Sequence, residues 1–381
     1  MARGGTRAKS VSQEDLEEDP FAPQCNPDLI GHEEAEAVLL SAWNSGRLPH
    51  AWLITGPKGI GKATLAYRFA RFVLGQGVNF TADQDALFGD PGPTASELDM
   101  APGHPTFLQI THGGHPGLRT IVKTENEKTK AMRTEIVVSD VRNAVKIFNV
   151  TAEQGSWRVV VVDAADEMNT NAANALLKTL EEPPARGLLL LVAHSPGRLL
   201  PTVRSRCRTL ALKPLDDDRV ASLILARHPD AEQAAVLALA QLADGSPGRA
   251  FDLMEGGGPA LYEDMIGLLR DLPHTDVAAL HKFADRICRR GSESAFDTFI
   301  ALLGWWLSRM VRHAAMGTQA AEIIPGDADV AARLVARRSL DQWVEVWEKI
   351  SRLAARVDRI YLDRKQVLLN VFSILEKAAR S

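Results

Sequence analysis

The spacing of apolar residues changes at about residue 214 of the chain. Before that point, short runs of apolar residues alternate with segments in which apolar residues recur every three or four positions; the clearest runs are 51–55, 158–163 and 187–194. Such runs, bounded by turn residues, are typical of strands buried on both faces of a sheet, and intervening helices make neighbouring strands parallel. The pattern predicts an α/β fold with a parallel sheet covered by helices.

Shorter segments complete the predicted α/β region. Residues 107–110 and 135–138 have the composition of short strands. Helices are expected between the strands, at 62–74, 139–150 and 169–180. The stretch 75–105 is rich in Gly, Pro and Asp, which predicts a long irregular insertion of the kind that is usually functional or disordered.

Beyond residue 214 the periodicity is helical. Residues 216–254 are rich in alanine and are interrupted at 245–248 (Gly-Ser-Pro-Gly), and the run 256–259 (Gly-Gly-Gly-Pro) has the composition of a linker. The last helical region contains four tryptophans, Trp305, Trp306, Trp343 and Trp347. Core packing is the usual role of such residues, and anchoring of a partner is the alternative.

These patterns divide the chain into four segments. Residues 1–20 are polar and aperiodic, so we expect a disordered tail. An α/β core is expected at 21–213, a small helical domain at 214–255 and a helical C-terminal domain at 256–381.

Composition restricts the function classes only loosely. The 381 residues are 45% hydrophobic and 24% charged, as in ordinary globular proteins, and the net charge of −4 supplies no global basic field for nucleic acid. The three cysteines, Cys25, Cys207 and Cys288, lie far apart, which argues against a disulfide framework. The sequence shows no run of about 18 apolar residues and no signal layout, so the cytoplasm is the expected location.

The segment Gly56-Pro57-Lys58-Gly59-Ile60-Gly61-Lys62 follows one predicted strand and opens a helix. This is the context of a phosphate-binding loop, in which glycines let backbone N–H groups approach phosphate oxygens and the lysine reaches the terminal phosphates. A glycine-rich turn that binds nothing is the alternative. The spacing and the lysine favour a nucleotide site that includes Lys62.

Two positions that hydrolysis needs carry alanine. The residue after the loop lysine is normally Ser or Thr, whose hydroxyl ligates Mg²⁺, but here it is Ala63, with Thr64 about 100° further around the helix. Asp163 ends the second clear strand, where a carboxylate supports the magnesium shell, but Ala164 stands where a catalytic glutamate is expected. A structural strand-capping role for Asp163 is the alternative. The sequence therefore predicts ATP binding as a possibility, weak or absent Mg²⁺, and little hydrolysis.

Four further motifs carry a resemblance to a known family. Residues 174–184 read NALLKTLEEPP, residues 205–207 read SRC, residues 245–249 read GSPGR, and residues 45–53 read SGRLPHAWL. In this order they strongly resemble the clamp-loader ATPases of bacterial DNA polymerase III, a clade of AAA+ proteins. The likeness spans roughly residues 31–250. A degraded hydrolytic site beside an intact Ser-Arg-Cys motif is similar to the delta-prime type of subunit within this family.

The resemblance implies a P-loop AAA+ core, a helical lid at 214–255 and a C-terminal collar for oligomerisation at 256–381. It implies that Arg206 is an arginine finger for ATP on a neighbouring motor subunit, because a planar, permanently charged guanidinium suits the transferring γ-phosphoryl group. A surface salt bridge is the alternative for this arginine. Arg249 is placed like the second nucleotide-sensing arginine of the family. His194 or Ser195 is placed like the polar sensor residue of the family, and a structural role is the alternative for these two residues.

The family also implies partners. These are the other clamp-loader subunits, namely the motor ATPases and delta, and, through the assembled complex, the sliding clamp and primed DNA. No membrane contact is expected. The chain departs from many relatives in lacking cysteines at 75–105, so no zinc module is expected, and Cys207 is interpreted as a small apolar residue.

Two other functions remain open from the sequence. One is an active ATPase motor with a nonstandard magnesium shell, and the other is a scaffold that binds no nucleotide. Direct DNA contact is a further question. Two arginine groups, Arg286, Arg289 and Arg290 and then Arg333, Arg337 and Arg338, have the charge for it, although a solvated helix face is the favoured interpretation.

Overall fold

The computed structural model describes residues 21–76, 95–126, 132–149, 156–289, 293–357 and 362–380. These residues form two compact units that divide between Pro214 and Leu215. The predicted tail at 1–20 and residues 77–94 of the predicted insertion lie outside the described residues.

The first unit is built on a parallel sheet. Within the described residues its strands are β1 (Ala51–Thr55), β2 (Leu118–Ile121), β3 (Arg158–Asp163), β4 (Gly187–Ala193) and β5 (Arg208–Ala211). The spatial order is β2-β3-β4-β1-β5, and all four neighbouring pairs are parallel. Strands β1 and β4 are buried along their whole length. The predicted α/β class with a parallel sheet is confirmed.

Helices cover this sheet. In the described part of the first unit they are α1 (Glu33–Asn44), α2 (Lys62–Gln76), α3 (Pro105–Thr111), α4 (Val138–Val145), α5 (Thr170–Glu181) and α6 (Pro201–Arg204). A buried cluster joins alternate residues of β3 and β4, such as Val160 and Leu191, to Val141 of α4 and Leu176 of α5. Each such side chain contributes roughly 1.5–3 kcal/mol by leaving water, so the cluster fixes the strand ends that carry the site.

Two predicted strands are wrong. Residues 107–110 lie in α3, because Pro105 occupies its first turn and His104 caps it by accepting from the Thr106 N–H at 3.1 Å. Residues 135–138 contribute an isolated bridge between Ile136 and Met168 before α4 begins.

The strand β2, which was not predicted, forms one edge of the sheet. It was missed because Arg119 and Thr120, its two central residues, are exposed and interrupt the apolar pattern. The helix predicted at 139–150 is shorter than expected, since α4 ends at Val145 and a 3₁₀ turn follows at Lys146–Asn149.

The second unit is helical in its described part. Its helices are α7 (Asp217–Arg227), α8 (Gln233–Ala243), α9 (Pro247–Glu255), α10 (Gly258–Arg270), α11 (Val277–Ile287), α12 (Glu293–Met316), α13 (Asp327–Val335), α14 (Leu340–Ala354) and α15 (Arg364–Arg380). The predicted linker 256–259 is a tight connection, in which Gly257 adopts φ 68° and α10 starts at the next residue. The division of this unit into a lid and a collar stays a prediction.

The tryptophans of the second unit fulfil different roles. Trp306 and Trp343 are 2% and 0% exposed and belong to the core. Trp347 is 38% exposed, and its indole N–H donates to the Gly304 carbonyl at 3.2 Å. Core packing therefore accounts for two of the four, and Trp305 is described with the site below.

Candidate functional site

The phosphate loop joins β1 to α2 with a backbone that only glycine adopts readily. Gly56, Gly59 and Gly61 have φ values of 144°, 80° and 99°. A Cβ at Gly56 would also lie 2.7 Å from both the Ile60 Cδ1 and the Leu212 carbonyl oxygen. These glycines shape a cradle in front of the N-terminus of α2, where free N–H groups and the helix dipole favour an anion.

A histidine from outside the motif holds this loop. The His32 Nε2 lies 2.6 Å from the Ile60 carbonyl oxygen, and its side chain is buried. Leu29 also approaches the loop, since a Cβ at Gly61 would lie 3.1 Å from its Cδ1. The sequence contained no spacing signal for His32, because 28 residues separate it from Ile60.

Two arginines of α2 hold the segment that leads to His32. Arg71 is 1% exposed and donates to the carbonyls of Gln24 and Asn26 at 3.1 and 2.7 Å, and its guanidinium lies 4.5 Å from the centre of the Phe107 ring. Arg68 forms an ion pair with Glu36 at 2.5 Å. Residues 24–36 are thereby fixed against the helix that the phosphate loop opens.

Lys62 folds onto its own loop. Its Nζ donates to the Pro57 carbonyl oxygen at 2.5 Å, and the side chain is buried. Burial lowers the pKa of Lys62 to about 8, against the opposing charges of Asp163 and Asp166. The loop, the helix N-terminus and this ammonium fit the phosphates of a nucleotide. Lys58, by contrast, is exposed.

The residues around this lysine fit a magnesium ion poorly. Ala63 offers no hydroxyl at the first helical position after Lys62, and Thr64 is buried at the next position. Asp163 ends β3 as predicted, and burial raises the pKa of its carboxyl, opposed by the charge of Lys62. One carboxylate without a hydroxyl partner is a sparse ligand set for Mg²⁺, which demands octahedral oxygen coordination.

Neither acidic residue after Ala164 takes over the place of the missing glutamate. Asp166 is buried, and its two oxygens accept from the backbone N–H groups of His194 at 3.0 Å and Ser195 at 2.8 Å. Glu167 forms an ion pair with Lys123 at 2.9 Å. Both carboxylates are therefore engaged in contacts within the fold.

The two residues at the predicted sensor position are held by that contact. Ser195 is exposed, whereas His194 is half-buried and its Nδ1 has no hydrogen-bond partner within the described residues. Burial and the charge of Lys62 lower the pKa of His194, so the neutral imidazole is favoured. A neutral histidine beside Lys62 can accept from or donate to a water, and it adds no negative charge to the site.

Arg206 is exposed in the Ser-Arg-Cys turn, whereas the neighbouring Cys207 is half-buried. The Arg206 Nη2 lies 2.9 Å from Glu181 Oε1, its Nη1 donates to the Thr202 carbonyl at 3.0 Å, and 37% of the side chain is exposed. Cys207 packs on the core, and burial raises its thiol pKa to about 11, which fits the apolar role predicted for it. The arginine is accessible to another molecule, and the cysteine is not poised as a nucleophile.

Arg249 begins the second predicted sensing element, in the helical unit. Ser246 caps α9 by accepting from the Arg249 N–H at 3.3 Å. The Arg249 guanidinium lies 5.1 Å from the centre of the Trp305 ring, and Arg309 lies 5.2 Å from the same ring. Burial lowers the pKa of Arg249, and its Nη2 is buried without a hydrogen-bond partner in the described part of the chain. Its contact with Trp305 was not foreseen from the sequence.

Four of the six arginines considered for DNA contact, Arg286, Arg333, Arg337 and Arg338, have structural partners. Arg333 donates to the Arg270 carbonyl at 2.6 Å, and Arg338 donates to the Ala378 carbonyl at 2.6 Å. Arg286 pairs with Asp264, and Arg290 lies outside the described residues. Arg333 and Arg338 therefore cap the C-terminal ends of α10 and α15, where a cation is favoured.

Two other features, a metal-ligand cluster and a membrane-spanning helix, are absent from the described residues. Among the described residues, no group of three or more His, Cys, Asp or Glu side chains is arranged to hold a metal ion. No helix in the described ranges has the length and apolarity needed to cross a bilayer.

The chain is similar in sequence to subunits of DNA polymerase III. Residues 100–216 match the family described as DNA polymerase III, delta subunit. The chain is 38% identical over 200 residues to DNA polymerase III subunit delta' of Pseudomonas aeruginosa, which covers 52% of this chain and 53% of the relative. It is 34% identical over 219 residues to the delta' subunit of Escherichia coli, covering 57% and 58%.

A second type of relative is more distant. The tau subunit of DNA polymerase III from Salmonella typhimurium is 29% identical over 239 residues, or 62% of this chain and 33% of the relative. The chain spans a little over half the length of the delta' relatives that it matches. With the phosphate loop and the Ser-Arg-Cys turn in place, the chain is similar to the delta' subunits of DNA polymerase III over 52–57% of its length.

Proposed function

We propose that the chain is a non-motor subunit of a DNA polymerase III clamp loader, which helps to load the sliding clamp onto primed DNA. The observation that carries this proposal is the engagement of Asp166 by the His194 and Ser195 N–H groups beside an alanine at position 164. No carboxylate then remains on this turn to polarise an attacking water. The chain itself hydrolyses little or no ATP.

Its contribution to hydrolysis is made in trans. The exposed guanidinium of Arg206 is placed against ATP bound by a neighbouring motor subunit, where a fixed positive charge stabilises the transferring γ-phosphoryl group. The neighbours are the motor ATPase subunits and delta, joined through the helical C-terminal region. The clamp and primed DNA are contacted through this assembly.

The phosphate loop of this chain retains a binding role. Lys62 and the glycine cradle hold the phosphates of ATP, and Ala63 makes that binding nearly independent of Mg²⁺. Equilibrium binding of a fluorescent ATP analogue to the full chain tests this. Binding should be lost in Lys62→Ala and should persist in EDTA. Absence of binding to the unaltered chain would favour a nucleotide-independent scaffold.

Two turnover experiments test whether this chain hydrolyses ATP itself and whether Arg206 acts on ATP bound by a neighbouring subunit. The isolated chain should show no ATP hydrolysis above that of Lys62→Ala, with or without primed DNA. DNA-stimulated hydrolysis that Lys62→Ala abolishes would instead establish an active motor with a nonstandard magnesium site. In the reconstituted assembly, Arg206→Ala should lower the ATPase rate by about 100-fold or more without preventing assembly, as expected for loss of an arginine finger. An unchanged rate would refute the role in trans.

A further inference from the structure

Two elements hold the guanidinium of Arg206. Thr202, in α6, accepts from Nη1 at 3.0 Å, and Glu181, the last residue of α5, lies 2.9 Å from Nη2. One contact is to a backbone carbonyl four residues earlier in the same turn, and the other is to a side chain 25 positions away. Together they define both the direction and the rotation of the planar group.

The position of Glu181 is unfavourable for the helix that carries it. A carboxylate at the C-terminal end of α5 faces the negative end of the helix dipole, and Glu182 adds a second negative charge next to it. The guanidinium of Arg206 compensates this charge. The Glu181 carboxylate is 52% exposed, so its placement serves the surface at Arg206 more than the core.

Neither contact exhausts the donors of the arginine. A guanidinium has five N–H groups, and the two contacts engage one terminal nitrogen each. Within the described part of the chain, N–H groups therefore remain that a phosphate oxygen can accept from while Glu181 stays in place. This geometry fits a residue that orients the finger rather than one that blocks it.

We propose that Glu181 is a positioning residue for Arg206, holding its guanidinium in the orientation in which it meets the γ-phosphate on the neighbouring subunit. This inference rests on the arginine-finger role proposed above. A donor that is already oriented does not have to reorganise when the transition state forms. Loss of Glu181 should therefore lower kcat rather than raise the KM for ATP.

The test uses the reconstituted clamp-loader assembly with ATP and primed DNA. Glu181→Gln should lower kcat by about fivefold with KM nearly unchanged, and Glu181→Asp should recover part of the loss. Glu182→Gln, the neighbouring exposed carboxylate, is the matched control and should behave as the unaltered chain. In the Arg206→Ala background, Glu181→Gln should have no further effect, because its action passes through the arginine.

A second measurement is independent of turnover. In the isolated chain, the Nε–H signal of Arg206 in NMR relaxation should report a restricted side chain, and Glu181→Gln should give it the mobility of the exposed Arg204. The thermal unfolding midpoint should not move, since exposed ion pairs add little stability.

The outcomes separate the two proposals. If Arg206→Ala lowers the rate but the kcat of Glu181→Gln equals that of the unaltered chain or of Glu182→Gln, the positioning role is overturned and the arginine-finger role is retained. If Arg206→Ala has no effect, both fall. An additive loss in the double variant would also overturn the positioning role.

Discussion

The carboxylate of Asp166 accepts a hydrogen bond from the backbone N–H of Ser195 at 2.8 Å. Its other oxygen accepts from the N–H of His194, so one side chain ties the turn after β3 to the turn after β4. These strands are neighbours in the sheet, and β4 also pairs with β1, the strand that leads into the phosphate loop. Asp166, two residues after Ala164, is thus part of the scaffold that joins the two turns.

Replacing that carboxylate should cost stability. Asp166→Asn keeps only one acceptor oxygen, so a buried N–H loses its partner, and we expect the free energy of unfolding to fall by about 2 kcal/mol. Urea denaturation measures this. Glu167→Gln is the control, because its ion pair with Lys123 is about one-third exposed and should contribute less than about 1 kcal/mol. Equal losses in the two variants would contradict the assignment.

Lys62 should make stability depend on pH. Burial lowers its pKa to about 8 in the folded chain from 10.5, so between pH 8 and 10.5 the unfolded state binds a proton that the folded state has released. Stability attributable to Lys62 therefore rises with pH across this window. The unfolding free energy of the unaltered chain minus that of Lys62→Met should increase by up to about 3 kcal/mol.

Subtracting the unfolding free energy of Lys62→Met removes the contributions of groups that titrate in the same way in both proteins. Below pH 7 the difference should be flat, because Lys62 is protonated in both states. A flat difference over the whole range would show that the ammonium is solvated rather than buried against the Pro57 carbonyl.

Gly56 should tolerate no side chain. Its φ of 144° and the 2.7 Å approach of a Cβ to the Leu212 carbonyl predict that Gly56→Ala destabilises the chain by about 1–3 kcal/mol. Gly103→Ala is the matched control, because a Cβ there meets no atom within 4 Å. Thermal unfolding of both variants distinguishes a steric requirement from a general effect of removing glycine.

The two tryptophans of α14 should differ in their effect on stability. Trp343 is fully buried and donates to the Leu334 carbonyl at 3.2 Å, so Trp343→Ala should cost about 3–5 kcal/mol. Trp347 is 38% exposed, and Trp347→Ala should cost less than half as much. Denaturant unfolding compares them. A larger loss at Trp347 would mean that the exposed ring is the structural one.

The buried strands and the phosphate loop could be predicted because each is a local pattern. β1 and β4 are buried at every position and are almost wholly apolar, with Thr55 as the exception in β1, and the glycine spacing from Gly56 to Lys62 is typical of one loop backbone. The edge strand β2 could not be predicted in this way, because its exposed residues Arg119 and Thr120 break the pattern. Residues 107–110 (Phe-Leu-Gln-Ile) have a composition that suits a strand or a helix, and the His104 cap together with Pro105 in the first turn favours the helix.

The motif residues of the site were predicted, but their partners were not. Lys62, Asp163 and Arg206 belong to recognisable spacings, whereas several contacts around the site, such as that of Glu181 with Arg206, come from distant positions. Ile60 is held by a histidine 28 residues away, and Arg249 packs on the ring of Trp305. Such pairings depend on how the elements pack, which no periodicity encodes.

The buried guanidinium of Arg71 recognises the chain ahead of the phosphate loop through two main-chain carbonyls, those of Gln24 and Asn26. Carbonyl oxygens are the same in every residue. The contact with Arg71 therefore places no demand on the side chains at positions 24 and 26, and this hold on the path of the segment depends on Arg71 alone.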